Sequence, residues 1–134
     1  MAVPEGLKNK FGQPLYGTVK TDYGTFKGFI QWDHQENLST DKLDGEGEDG
    51  EMSIDFGTIR SIKKYRRGSK VMLKSGQEYY LYGTNDVNDD NRGIVVNDFK
   101  LGKIFVDWDE FISVEFEKKP DYPIPTYEDF MEPK

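Results

Sequence analysis

Ile54-Asp55-Phe56-Gly57-Thr58-Ile59-Arg60-Ser61-Ile62 is answered, 52 residues further on, by Val106-Asp107-Trp108-Asp109-Glu110-Phe111-Ile112-Ser113-Val114. Five positions agree in type: Ile54 with Val106, Phe56 with Trp108, Ile59 with Phe111, Ser61 with Ser113, and Ile62 with Val114. Gly50 and Gly102 keep the same offset. So do the stretches that open each half, Val19-Lys20-Thr21-Asp22-Tyr23-Gly24 and Val71-Met72-Leu73-Lys74-Ser75-Gly76. No gap is needed at either end. The spacing predicts a duplicated framework, with one copy from Val19 to Tyr65 and the other from Val71 to Phe116.

Within each copy the apolar period is two, as in strands whose side chains alternate between faces. Gly24 to Trp32 sets its aromatics two or three apart, and Thr58 to Tyr65 alternates Ile59, Ser61, Lys63 and Tyr65 against Thr58, Arg60, Ile62 and Lys64. Ser69 to Tyr82 reads as two strands joined at Lys74-Ser75-Gly76-Gln77, where Gly76 can take a positive φ. Lys20 to Thr25 reads the same way around Tyr23-Gly24. No window of helical length carries an amphipathic stripe. Each half is expected to hold two strands in its opening hairpin, one near Ser39 to Leu43 or Gly93 to Asn97, and two at its end. Halves this small bury little core alone, so they should pack together.

A first hairpin, a variable loop and a final pair with a very short turn resemble the plan of the Sm-like and SH3-like small barrels. The resemblance implies an all-β chain of two such small barrels in tandem, or one fused barrel-like unit. Residues 1–18 would be an arm, 19–67 the first repeat and 68–117 the second. Residues 118–134, with Pro120, Pro123, Pro125 and Pro133 among Tyr122, Ile124, Tyr127 and Phe130, would be a tail packed on the barrel. Gly28-Phe29-Ile30-Gln31-Trp32-Asp33 and Tyr82-Gly83-Thr84-Asn85-Asp86-Val87 are similar to segments of uncharacterised bacterial proteins of this general build. Sm-like proteins form rings and bind RNA, but their uridine-pocket residues have no counterpart in this chain, and fold alone does not carry function.

Composition narrows the function classes. The 134 residues hold 18 Lys plus Arg and 25 Asp plus Glu, a formal charge of -7 that disfavours general attraction to nucleic acid or anionic lipid. No apolar stretch approaches the roughly 20 residues of a membrane span, and no secretory apolar region follows Met1. These features favour a cytoplasmic location over a secreted or periplasmic one. The lack of cysteine excludes disulfides and thiolate chemistry, and the single histidine excludes multi-histidine metal centres. There is no nucleophile elbow, phosphate-binding glycine loop or His-Glu-x-x-His, so no enzyme activity and no cofactor are expected. Asp107 and Asp109 fall on one face of an expected strand and read as solvent-facing polarity.

Four segments stand outside the repeated framework. Trp32, Asp33, His34 and Glu36 join an aromatic ring to polar groups at a strand end, a combination that suits a sugar or small ligand. Lys63, Lys64, Tyr65, Arg66, Arg67 and Lys70 put five cations around one tyrosine in eight residues between the halves, a basic linker able to meet phosphates and stack a base. Asp86, Asn88 and Asp90 have the 1-3-5 spacing of oxygen donors in a calcium loop, but Asn97 stands where a bidentate glutamate is needed. Asp41 to Glu51 carries six acidic residues and one lysine in eleven positions and reads as a mobile solvent-facing loop. The expected function is non-catalytic binding or assembly, with a protein partner or a second copy. Carbohydrate or small-ligand binding near Trp32 and RNA binding through Lys63 to Lys70 are the alternatives.

Overall fold

The computed structural model describes residues 12–120. The expectations for the arm before residue 12 and for the tail beyond residue 120 lie outside the described residues. Among the described residues ten strands follow one another: β1 (Tyr16–Thr21), β2 (Gly24–Trp32), β3 (Lys42–Gly47), β4 (Gly50–Asp55), β5 (Ile59–Tyr65), β6 (Gly68–Leu73), β7 (Glu78–Leu81), β8 (Ile94–Asp98), β9 (Gly102–Val106) and β10 (Phe111–Phe116). A short 3-10 turn, Phe56–Thr58, precedes β5. β1 and β6 begin and end 52 residues apart, and β3/β8, β4/β9 and β5/β10 begin 52 residues apart.

The pairing overturns the small-barrel expectation. One sheet of eight strands runs β7-β6-β5-β10-β1-β2-β8-β9, β3 and β4 form a second sheet, and neither closes. A small barrel needs the strands of one half to return onto each other. Here the first strand of each half is hydrogen-bonded to the last strand of the other: β1 to β10 and β6 to β5. The registers are equivalent. Gly17, Val19 and Lys20 face Phe116, Val114 and Ser113, while Ser69, Val71 and Met72 face Lys64, Ile62 and Ser61, and each ladder has an irregularity at its far end. β3–β4 hangs on β7 through the antiparallel bridge between Glu46 and Tyr82, with N–H···O bonds of 2.8 and 3.0 Å. Counting that bridge, the strands run β9-β8-β2-β1-β10-β5-β6-β7-β3-β4, and equivalent strands stand at equal distances from the β10–β5 junction.

One core serves both halves. Val19, Ile30, Trp32, Leu43, Phe56, Ile62, Val71, Leu81, Ile94, Trp108, Phe111 and Val114 all belong to it. Trp32 is fully buried at its centre, with ring centroids 5.3 Å from Phe111, 5.9 Å from Trp108 and 6.2 Å from Phe56. On the opposite face of β1, β2 and β8, as the period of two requires, Tyr16, Phe29 and Val95 form a smaller buried cluster.

Three local readings change. The acidic run is not a loop but the β3–β4 hairpin, with Leu43, Gly45 and Gly47 turned inward and Asp44, Glu46 and Glu48 outward. Its alternation was masked because two of the three inward positions are glycines. The basic segment is not a linker but the β5–β6 hairpin, turning at Arg66, which takes φ 53°. Asp107 and Asp109 sit in the turn before β10, where Glu110 and Phe111 donate to the Asp107 carbonyl at 3.0 Å, and not on one strand face. Among the described residues no helix is long and apolar enough to cross a membrane.

Candidate functional site

β2 ends at Trp32 in a tight turn. Asp33 and His34 both adopt φ 55°, and Glu36 returns its main chain to Trp32, accepting the Trp32 N–H at 2.6 Å and donating to its carbonyl at 2.9 Å. Two successive left-handed residues direct the Asp33 side chain inward, beneath the loop between β7 and β8. There Asp33, which is completely buried, accepts the Arg92 main-chain N–H at 2.6 Å and the Asn85 amide at 2.6 Å. The Arg92 guanidinium lies against both of its oxygens at 3.4 Å and reaches the Gln35 side-chain carbonyl at 3.3 Å.

Asp86 completes the cluster. Its carbonyl accepts the Trp32 indole N–H at 2.8 Å and the Asn91 amide at 3.2 Å, and its carboxyl accepts the Asp44 N–H at 2.8 Å. Asn91 in turn accepts the Gly93 N–H at 2.8 Å. Carboxyl oxygens of Asp33, Glu36 and Asp86 all lie within 4.8 Å of one another. Among the described residues Glu36 Oε2 is buried with no hydrogen-bond partner. Burial first, and then the nearby Asp86 and Asp33 carboxyls, push the Glu36 pKa up to about 8. Burial also raises Asp86, against the opposing hydrogen bond from Asp44.

The fold thus joins residues from two sequence candidates and separates others. Asp33, Glu36 and Asp86 converge. Trp32 lies in the core and offers no ring face to a ligand, and His34 is half-buried above Gly93. The 1-3-5 donor set does not converge on a common point: Asp86 turns inward, whereas Asn88 accepts the N–H of its exposed neighbour Asp90 at 3.0 Å. With Asp33 already bonded to Arg92 and Asn85, the cluster is an internal hydrogen-bond network more than an open cage of ligands. Asn85, Asn91 and Gln35, which support it, carry no recognisable pattern in the sequence.

A second locus lies on the outer face of β5–β6–β7. Lys63 stands opposite Lys70, and Lys70 opposite Tyr80. Lys70 Nζ is 4.0 Å from the Tyr65 ring centre and the Arg66 guanidinium carbon is 5.1 Å from it. Tyr65 packs on Tyr80 at 5.8 Å, and Tyr80 on Tyr82 at 5.5 Å. Tyr80 and Tyr82 remain 36% and 37% exposed. Lys64 leaves this group, its ammonium donating to the Trp108 carbonyl at 2.7 Å, and Arg67 is exposed in the turn. Tyr80 and Tyr82 were legible in principle, because Glu78, Tyr80 and Tyr82 alternate with the more buried Tyr79 and Leu81.

Beyond Tyr82 the same face turns acidic. Glu46 is the bridge partner of Tyr82 and stands opposite Glu51, and Asp44 opposite Ser53. No family model, no curated protein and no solved structure matches the chain significantly.

Proposed function

We propose that this chain is a non-catalytic assembly module that pairs with a second copy through the outer face of β5, β6, β7 and β3–β4. The carrying observation is the order of charges on that face: Lys63, Arg66 and Lys70 at one end, Tyr65, Tyr80 and Tyr82 in the middle, Glu46 and Glu51 at the other. Rotated by a two-fold axis through the tyrosines, such a surface sets its basic end against the acidic end of its mate, which is the self-complementarity an isologous dimer requires. Partly exposed tyrosines flanked by cations are the side chains that interfaces favour. The acidic groups on this face also fit a protein surface better than a continuous phosphate chain, which Glu46 and Glu78 would repel.

Sedimentation velocity from 1 to 200 µM, in 50 mM and 1 M NaCl, tests this. A dimer that weakens with salt is expected. A monomer at every concentration in low salt, or salt-dependent capture of a single-stranded oligonucleotide by the same lysines, would overturn it.

A further inference from the structure

We infer that the Asp33–Glu36–Asp86 cluster holds one proton, shared between the Glu36 and Asp86 carboxyls, and that its release loosens the 33–36 turn from the 85–93 loop. The geometry requires compensation of some kind. Three carboxyl groups lie within 4.8 Å of one another. The guanidinium of Arg92 is directed to Asp33 and Gln35 and acts on Asp86 through its field alone, too weakly to offset burial there. Glu36 Oε2 is buried without a hydrogen bond among the described residues, and the chain at Glu36 is held by two main-chain bonds to Trp32. Like charges this close in a partly desolvated site do not all ionise together, and one proton removes the repulsion.

The charged and titratable groups around the proton are Asp33, His34 and Glu36 on the turn, Asp41 before β3, Asp44 on β3, and Asp86 and Arg92 on the β7–β8 loop. All but His34 and Arg92 are acids, so the surroundings favour retention of the proton. The raised Glu36 pKa agrees. Because it is raised above the unfolded value, stability is fullest below the ordinary glutamate range, falls as pH rises through the interval up to about 8, and levels off above it.

Urea unfolding of the intact chain between pH 5 and 9.5 should show the unfolding constant rising by up to about tenfold per pH unit in that interval. The indole N–H resonance of Trp32, bonded to the Asp86 carbonyl, should titrate with it. Glu36→Gln, which keeps the shape and supplies a permanent donor, should flatten both profiles and be the more stable protein at pH 9. The proposal is overturned if the wild-type indole resonance does not move between pH 6 and 9.5, or if its inflection survives in Glu36→Gln. It is equally overturned if 5 mM calcium or magnesium chloride stabilises the wild type but not Glu36→Gln, since a cation would then occupy the place assigned to the proton. The indole resonance and its Glu36→Gln control do not depend on dimer formation.

Discussion

Ile62 on β5 lies directly opposite Val114 on β10, and the two are the same position of the two halves, 52 residues apart. The neighbouring pairs, Lys63 with Ser113 and Ser61 with Glu115, exchange under that equivalence. The junction is therefore a pseudo-two-fold axis through the sheet. Both residues are buried in the shared core.

Truncation at that axis should be felt by the whole chain. Ile62→Ala is expected to cost about 3 kcal/mol, within the range for large-to-small changes in a packed core. Urea unfolding followed by tryptophan fluorescence and by far-ultraviolet circular dichroism should give one coincident transition for wild type and variant. Two separated transitions would mean that the halves hold independent cores.

Removing Asp33 leaves the Arg92 N–H, the Asn85 amide and the Arg92 guanidinium without their acceptor. Asp33→Ala should lower stability by roughly 3 kcal/mol, the scale for breaking a buried charge-assisted network. Differential scanning calorimetry checks this, and a loss under 1 kcal/mol would show that water replaces the carboxylate freely.

Gly93 has φ 106°, and a Cβ there would lie 2.8 Å from the Val106 carbonyl and 3.4 Å from His34 Nε2. Both the left-handed backbone and the backbone clash oppose a side chain. Gly93→Ala should therefore destabilise by about 2 kcal/mol. It should also speed amide exchange at Arg92, whose N–H is bonded to Asp33 next to the displaced residue.

Asp98 contributes to the acid side. Slight burial acts to raise its pKa, but main-chain N–H groups of Leu101, Lys100 and Lys27 bond its carboxylate and together hold it below the ordinary value. A depressed folded pKa gives stability that is present above the ordinary aspartate range and is lost as pH falls through the folded value. Asp98→Asn should thus make the acid limb of a thermal-stability profile shallower, being less stable than the wild type at pH 8 and converging with it as pH falls. An unchanged acid limb would contradict this.

Charge reversal tests the assembly surface in a second way. Lys70→Glu alone should weaken self-association tenfold or more, and combining it with Glu46→Lys should restore part of the loss, because each dimer then recovers opposite charges across the axis. Equal dimerisation by all three proteins, measured by sedimentation equilibrium, would place the contact elsewhere.

Strand type and spacing were legible because period-two patterning and glycine turns are local: Ile59 to Ile62 and Phe111 to Val114 declare themselves without knowledge of any neighbour. Phe56 and Trp108, matched by position, both fall in the core for the same reason. The β3–β4 hairpin was less legible, since Gly45 and Gly47 fill its inward face and carry no apolar signal.

The 134 residues by themselves determined a duplicated all-β framework, its register of 52, and the candidates Asp33, Glu36 and Asp86 as separate points along the chain. Only the tertiary structure decided that β1 pairs with β10 and β6 with β5, which leaves the sheet open where compact barrels were expected, and that Asp86 comes to lie against Asp33 and Glu36. Side-chain alternation is set by the backbone of each strand alone. Which strands pair, and which distant carboxyl groups meet, depends on how two halves too small to bury a core separately arrange their apolar faces around Trp32.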